Sequence, residues 1–470
     1  MTTDPDCLHR TAKYFMDNGR AATAEDAVDM LSRFGMTITV DAASATTLNG
    51  QIALLTLVNA ARRTMLGGIE VEGVGDQPVV TALSTEMTLG AAVAALGGTC
   101  VERTRDDWPS AIIGDAAPPD GPAPAWRLQW AGWRGGVVPA TWTPVARDAL
   151  ALALAPVMAA AACVGEVFAW HAGDHDMAGR RASGLSIWNP GAPWTDSDPN
   201  EPLLSHLPAK LWLIGLGNLG QAFAWCLASL PYPEGAETTL MLQDFDRMAE
   251  SNDSTSLLAV PEQPTAMKTR WVGDWLERRG FEVRHEERRF GAWTRRHHLE
   301  PGAALCGVDN AVARAALEDA GFDLVVEAGL GGGTQGFRNF SLHSFPGPKR
   351  AGAIWGGTAA TATAPDVSTM PAYRAMKDNG VDGCGLTQIA SRTIGVPFVG
   401  LTAAILAVGE LLRRLHGGDA MEVVSGSLMA LEDTVAFTGE DEPYAHGHID
   451  IGDADLLEAA TVRRQACRKA

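Results

Sequence analysis

The stretch "LWLIGLGNLGQAFAWCLASL", residues 211–230, decides the fold. An apolar run of strand length enters Gly215, Gly217 and Gly220, spaced G-x-G-x-x-G, and an apolar helix-compatible run leaves them. Such a turn gathers free backbone N–H groups at the positive end of a helix dipole, which favours a phosphate. Alone the pattern is weak, but its strand–turn–helix setting makes a nucleotide site the better reading. Asp244 ends the next apolar run, where an acid accepts hydrogen bonds from ribose hydroxyls.

Working outward, strands are predicted at 211–215, 238–244, 281–285, 303–306, 323–327 and 338–345, with helices at 218–230, 264–280 and 310–320. This alternation predicts an α/β fold, a Rossmann-like, mostly parallel sheet with helices on both faces. Upstream, 51–74 reads as helix then strand, and "SAIIGD" holds a short buried strand. Residues 174–206 are rich in Pro, Gly, Asp and Ser and read as the connection between two halves. The halves echo each other. "PVMAAAACVGEVFAWHAG" (156–173) and "PFVGLTAAILAVGELLRRLHG" (397–417) both run from Pro through Val-Gly-Glu to Gly, and "AIIGD" (111–115) parallels "LCGVD" (305–309). This self-similarity reads as a duplication, with no glycine motif in the first copy. The loop "GLGGGTQGF" (329–337) follows a strand and is expected to open no helix.

The chain has 470 residues, enough for two or three domains. Its net charge of −19 argues against nucleic-acid or anionic-membrane partners. Six of 37 basic residues are Lys, so Lys268 at a motif position is a less accidental feature than usual. None of the seven Cys forms a C-x-x-C pair, and their wide spacing fits reduced thiols in a cytoplasm. No apolar h-region opens the chain, so no secretory signal is expected. Residues 149–165 are uncharged, but are Ala-rich and hold Pro156, so a buried helix is expected rather than a membrane span.

Past Asp244 the sequence separates the nucleotide classes. "DFDRMAESN" runs from Asp244 to Asn252, Lys268 follows 16 residues later, and "LCGVDN" ends on Asp309-Asn310, with Arg314 beyond. These five elements, in this order, resemble the ubiquitin-activating enzyme superfamily, in particular its bacterial HesA/MoeB/ThiF-type adenylyltransferases, over about residues 205–420. That resemblance implies ATP and Mg²⁺ as cofactors. It implies that Gly215, Gly217 and Gly220 cradle phosphates, Asp244 takes the ribose and Asn252 contacts phosphate. Lys268 neutralises the phosphates, and Asp309, with Asn310 beside it, holds Mg²⁺. Adenylation brings two anions together, so charge neutralisation is most of the work.

The pattern departs from the family at Thr255, where an Arg is usual. Arg247 or Arg270 stands near in sequence. Family dimers also insert an Arg from the partner subunit, and here the first half would supply it, from Arg10, Arg62 or Arg63. The resemblance also implies a nucleophilic Cys384, shortly before the helix entered at Pro397. Cys306 and Cys226 read as core, and Cys7 and Cys467 as exposed bystanders.

The expected organisation is a degenerate domain over 1–205, an ATP-binding adenylation domain over 206–420 and a tail over 421–470. Residues 356–383 resemble the loop under which a carrier tail threads. The expected partners are a ubiquitin-like carrier protein and a conjugating enzyme, with a homodimer also compatible. Bacterial conjugation operons with antiviral roles contain such proteins, by analogy. An NAD(P)-dependent oxidoreductase would explain the glycines and Asp244 but would leave Asn252, Lys268 and Asp309 idle. A non-catalytic nucleotide-binding scaffold would be consistent with Thr255.

Overall fold

Strands β1 (Gly35–Val40), β2 (Gly68–Glu72), β3 (Thr99–Cys100), β4 (Ser110–Ile113), β5 (Ala125–Ala131), β6 (Arg134–Pro139) and β7 (Ser183–Ser186) form one sheet in the order 3-2-1-4-5-6-7. A second sheet runs 11-10-9-12-13-14-15-16. Its strands are β9 (Lys210–Ile214), β10 (Thr239–Gln243), β11 (Glu282–Glu286), β12 (Ala303–Cys306), β13 (Leu324–Leu330), β14 (Asn339–Phe345), β15 (Met421–Ser427) and β16 (Ala430–Thr438). Strands β8 (His206–Pro208) and β17 (His448–Asp450) pair by themselves. The computed structural model describes residues 7–143, 150–260, 265–357, 369–439 and 444–451.

The two sheets repeat one plan. In each, the first five strands are parallel and the next are antiparallel. "AIIGD" lies on and after β4 and "LCGVD" on and after β12, which hold equivalent places. The Pro-entered helices occupy equivalent places too, Leu154–Ala172 before β7 and Pro397–Leu415 before β15. The central strands are buried, apart from Lys210 at the start of β9, because helices cover both faces of a parallel sheet.

One core joins the halves. Helix Leu154–Ala172 packs on Leu48–Ala61 from its own half and on Pro397–Leu415, which in turn packs on Asn218–Ser229. The small residues make this close packing possible. A side chain at Gly165 would press on Leu428 and Phe398, and one at Gly409 would collide with Ile187. The matching Val-Gly-Glu triplets carry two buried anchors. Glu166 Oε1 accepts from Arg181 at 2.7 and 3.0 Å, while Glu410 takes Arg413, Arg414 and the Met421 backbone N–H. Helix Leu154–Ala172 has the length and apolar composition to cross a membrane, but 89% of its apolar window is buried inside the protein.

Several expectations are corrected. The 174–206 connection contains β7, the edge strand of the first sheet. Within the expected tail, residues 421–438 extend the second sheet by two antiparallel strands, and β17 pairs back onto β8. Antiparallel pairing satisfies an edge that the parallel set leaves open. The 329–337 loop does open a four-residue helix, Gly333–Gly336. The 310–320 helix splits into Ala311–Ala315 and a tighter turn Leu317–Ala320, and the 264–280 helix spans Lys268–Glu277. Of the 356–383 loop, residues 358–368 lie outside the described residues, and Pro371–Asp378 is a helix. Cys467 also lies outside them, and Cys7 is half-buried rather than exposed.

Candidate nucleotide site

The order of the second sheet reverses between β9 and β12, which are adjacent in space but not in sequence. Open α/β sheets bind ligands in the crevice at such a point, beyond the carboxyl ends of the strands. The turn Gly215–Gly220 leaves β9 there, and the Gly307–Asn310 loop leaves β12 beside it. The Gly215 N–H donates to Gln243 O and the Gly307 N–H to Ile214 O, both at 2.9 Å.

The three glycines have different tasks. Gly215 has φ +83°, and a side chain there would meet Val308 at 2.9 Å. At Gly220 a side chain would strike the Gly215 carbonyl, so this glycine lets the helix start tightly against the turn. At Gly217, the residue capping helix Asn218–Ser229, a side chain would meet nothing within 4 Å. Gly217 thus faces open space at the helix N-terminus, where an anion is favoured.

Asp244 is buried, and its carboxylate braces the turn. Oδ2 accepts from the Leu216 N–H at 2.6 Å and Oδ1 from the Asp246 N–H at 2.8 Å. Lys268 begins its helix and is nearly buried. Its N–H donates to Asp246 O, and its Nζ lies 3.1 Å from Asp246 Oδ2. Glycine turn, Asp244, Asp246 and Lys268 therefore form one connected set. On the opposite side of the turn, Asp309 is exposed, with no hydrogen bond or ion pair among the described residues. Asn310 is exposed too, and its Oδ1 caps helix Ala311–Ala315 by accepting from Val312 and Ala313. Arg314 holds this loop from below, its Nε donating to Val308 O at 2.8 Å and pairing with buried Glu327.

Asn252 lies in the short turn Glu250–Ser254. Its Oδ1 accepts from the Ala249 N–H at 2.9 Å, so the side-chain oxygen shapes the turn and the Nδ2 donors take no part in that bond. Sequence reading missed Gln221, one helical turn past Gly217. Its Nε2 donates to Leu216 O and its Oε1 accepts from the Leu258 N–H, tying the 250–258 segment to the glycine turn. A polar residue within an otherwise apolar helix was the available signal.

The three first-half arginines all reach the Ser251–Thr255 segment. Arg62 and Arg63 both pair with Asp253, at 2.7 and 3.2 Å, and Arg63 also donates to Asp253 O and Leu257 O. Burial opposes the Asp253 charge, but the Arg62 hydrogen bonds and both arginine charges hold its carboxyl below the usual value. Arg10 donates its backbone N–H to Ser254 Oγ and its side chain to Thr393. A side chain at Gly395 would touch both Thr255 Cγ2 and Arg10 Cβ, so Arg10 lies beside Thr255. Arg270 and Arg247 are engaged elsewhere, with Glu287 and Thr265 O.

In the first half, Asp41 follows β1 where the glycine turn follows β9. Its Oδ1 accepts from the Ser44 N–H at 2.6 Å and its Oδ2 from the Asp115 N–H at 2.5 Å. A protein carboxylate thus lies between the loops that follow β1 and β4.

Cys384 is exposed at the start of helix Gly383–Ser391, which Asp382 caps through the Gly385 N–H. That helix packs on Pro371–Asp378, which is tied to the N-terminal helix Lys13–Asp17 by Tyr373 Oη donating to Asp17 at 2.6 Å. The structure does not join Cys384 to the glycine turn through any described hydrogen bond. Cys306 and Cys226 are fully buried, as expected of core residues. Burial pushes the Cys306 thiol up to about 12 and raises that of Cys226 as well.

The fold and crevice define a paired Rossmann-like α/β protein with a phosphate-type glycine turn at the switch point of one sheet. Residues 207–418 match the family model of the BilD C-terminal domain, and residues 35–187 match that of the BilD N-terminal domain. A protein of Collimonas sp. (strain OK412), bacterial E1-like protein BilD, is 55% identical over 450 residues, covering 95% of this chain and 97% of its own. The chain belongs to the BilD family of bacterial E1-like proteins. Among solved structures, E. coli MccB with ATP is similar at TM-score 0.31 and 11% identity, over 50% of this chain and 64% of that one. E. coli MccB with succinimide is similar at TM-score 0.33 over 49% and 64%, so the similarity spans under two thirds of MccB. E. coli TcdA, a tRNA N6-threonylcarbamoyladenosine dehydratase solved with AMP, is similar at TM-score 0.28 and 14% identity, over 44% and 85%.

Proposed function

We propose that this chain activates the C-terminal carboxylate of a ubiquitin-like carrier protein with ATP and Mg²⁺. A carboxylate oxygen of the carrier's last residue bonds to the α-phosphorus, and the α–β bridging P–O bond breaks to release pyrophosphate. The Cys384 thiolate then attacks the acyl carbon, forming a C–S bond and expelling AMP, and a conjugating partner accepts the carrier from that thioester. The observation that carries the reading is the connected set of Asp244, Asp246 and Lys268 beside a glycine turn whose middle glycine faces open space.

The residues present fit the nucleotide. Open helix N–H groups and Lys268 suit phosphates, and the exposed carboxylate of Asp309, with no hydrogen bond or ion pair among the described residues, would suit a hard cation. Asp244 already spends one bond from each oxygen on the backbone, and each oxygen keeps a lone pair for a ribose hydroxyl. Asn252 offers its Nδ2 toward phosphate, and Asn310 keeps the Asp309 loop in shape. Arg10 supplies the cation that Thr255 lacks, whereas Arg62 and Arg63 hold Asp253 and so shape the segment. In the first half the Asp41 carboxylate occupies the corresponding crevice as a built-in anion, which supports reading residues 1–205 as the non-binding copy. A cytoplasmic site of action fits the widely spaced cysteines without a C-x-x-C pair, and the charge of −19 disfavours a nucleic-acid or anionic-membrane partner.

The test is ATP–pyrophosphate exchange with candidate carriers that end in Gly. Exchange that requires the carrier and Mg²⁺ is expected, and NADH binding without ATP binding would overturn the reading. Cys384→Ala should keep exchange, since the first step involves no sulfur, and should lose the thiol-sensitive carrier adduct. An undiminished adduct in that variant would move the nucleophile elsewhere.

A further inference from the structure

Away from the crevice, the described residues bring three metal-ligating side chains together at the seam of β8 and β17. These strands are antiparallel, with His206 opposite Asp450 and His448 opposite Pro208. Side chains alternate faces along a strand, so His448 and Asp450, two residues apart, share a face, and the cross-strand register adds His206 to it. His206 Nδ1 lies 2.9 Å and His448 Nε2 3.3 Å from one oxygen, Asp450 Oδ1, and donor atoms of the three residues all fall within 4.8 Å of one another. A tetrahedral ion with ligands at about 2.0–2.1 Å has ligand–ligand edges of about 3.3 Å, close to these spacings.

The surroundings hold His206 in place. The His416 ring lies 5.5 Å from it between centroids, tilted by 40°, and His416 Nε2 accepts from the Ser205 and His206 backbone N–H groups. His416 Nδ1 bonds Leu412 O, so both its nitrogens are committed and it acts as a support for the backbone that carries His206. The seam also has a reason to need a clasp. Each strand has three residues, and a two-stranded ribbon of that size is marginal by itself. Its other attachments include the Ile451 N–H bond to Ser205 O, the Ala209 N–H bond to Gly447 O, the Tyr232 Oη bond to Pro208 O at 2.8 Å and the packing of Leu207, Ile449 and Ile451. After Ala209, β8 continues directly into β9 and the glycine turn.

We propose that His206, His448 and Asp450 form a site for a borderline divalent transition metal of the zinc class, which clasps β17 to β8. Two imidazoles and one carboxylate suit Zn²⁺ with water in a fourth position, whereas Mg²⁺ and Ca²⁺ prefer all-oxygen sets. The three side chains are 36%, 48% and 79% exposed, so an ion reaches them from solvent and their replacement leaves the core intact. This proposal does not depend on the nucleotide reading.

The test uses the full chain stripped with EDTA and titrated with Zn²⁺ against a chromogenic chelator, then with Co²⁺, whose visible bands report tetrahedral coordination. One ion per chain, a tetrahedral Co²⁺ spectrum and a Zn²⁺-dependent rise in Tm are expected. His206→Gln and His448→Gln should lose all three with unchanged far-UV circular dichroism, and Asp450→Asn should bind at least about tenfold more weakly. Should either His variant lose its native dichroism, Asp450→Asn, with the most exposed of the three side chains, decides the matter. Equal stoichiometry and affinity in the folded variants, or no ion bound by the natural chain, would overturn the proposal.

Discussion

Lys268 is the first residue of its helix, nearly buried, and its Nζ meets a carboxylate that is itself half exposed. A structural lysine would be better served by a buried partner, so this pair is balanced for exchange: a phosphate arriving at Gly217 would compete with Asp246 for the ammonium. Lys268→Ala is therefore expected to lower carrier-dependent pyrophosphate exchange by about a hundredfold or more, the loss of about 2.7–4 kcal/mol that follows removal of one transition-state contact. Arg10→Ala should lower it in the same direction while the protein stays folded, because its side-chain bonds lie at an exposed position on Thr393. Exchange at the natural rate in either folded variant would reduce that residue to a structural role. The glycines give a second residue-scale contrast. Gly217→Ala should fold with natural Tm but bind ATP more weakly, because its methyl group enters open space on the phosphate side. Gly220→Ala should lower Tm outright, because its methyl group strikes the Gly215 carbonyl. Differential scanning fluorimetry with and without ATP separates the two.

At the scale of elements, helix Leu48–Ala61 of the first half ends beside Arg62 and Arg63, which grip the Glu250–Ser254 turn of the second. The grip is two cations, Arg63 buried and Arg62 half-buried, around one half-buried anion. Asp253→Ala would leave Arg63, 1% exposed, without its counter-charge, and removing one partner of a buried pair costs about 3 kcal/mol or more. The expected outcome is a clear drop in the denaturant midpoint, together with slower pyrophosphate exchange, since Asn252 sits in that same turn. A midpoint unchanged from the natural chain would show that water compensates both arginines. Element order in the second half was largely legible beforehand, whereas β1, β3, β5 and β6 of the first half were not predicted. The strands predicted at 211–215, 238–244, 281–285 and 303–306 lie within a residue of β9 to β12; for β9, β10 and β12 this is because buried apolar runs bounded by Gly, Pro and Asp have few other solutions, whereas β11 is a largely polar edge strand. β7 and β15 to β17 were not legible. "SGLS" is buried but short and built of small residues, and "HID" is short and largely exposed, so no periodicity marks either, and only their partners make them strands.

At the scale of the molecule, the shared core makes stability respond to acid through three half-buried histidines. His9 has its pKa lowered from 6.5 to about 4 by burial, with Asp253 partly offsetting this, and burial lowers His171 and His416 as well. A folded pKa below the unfolded value means that the unfolded chain binds the extra proton. The contribution is therefore complete above about pH 6.5 and is lost as pH falls toward 4. Tm should decline through that window, and His9→Gln should flatten the decline. A His9→Gln profile parallel to the natural one would remove His9 from this account.

What the sequence determined by itself is what local chemistry encodes. The glycine turn on a strand, the D-x-D run and the lysine in register with it are readable because backbone sterics and residue spacing act over a few turns of chain. The repeated Pro-to-Gly helices pointed to the doubled architecture in the same way. Only the tertiary structure decided which glycine faces open space, that Asp244 braces the turn, that Gln221 ties two loops together and that Arg10, Arg62 and Arg63 converge on one segment. It alone also put Asp41 in the first-half crevice and paired His206 with His448 and Asp450. These contacts join residues up to about 240 positions apart. They depend on how two sheets twist and on which helices bury each other, and no short window of sequence carries that information.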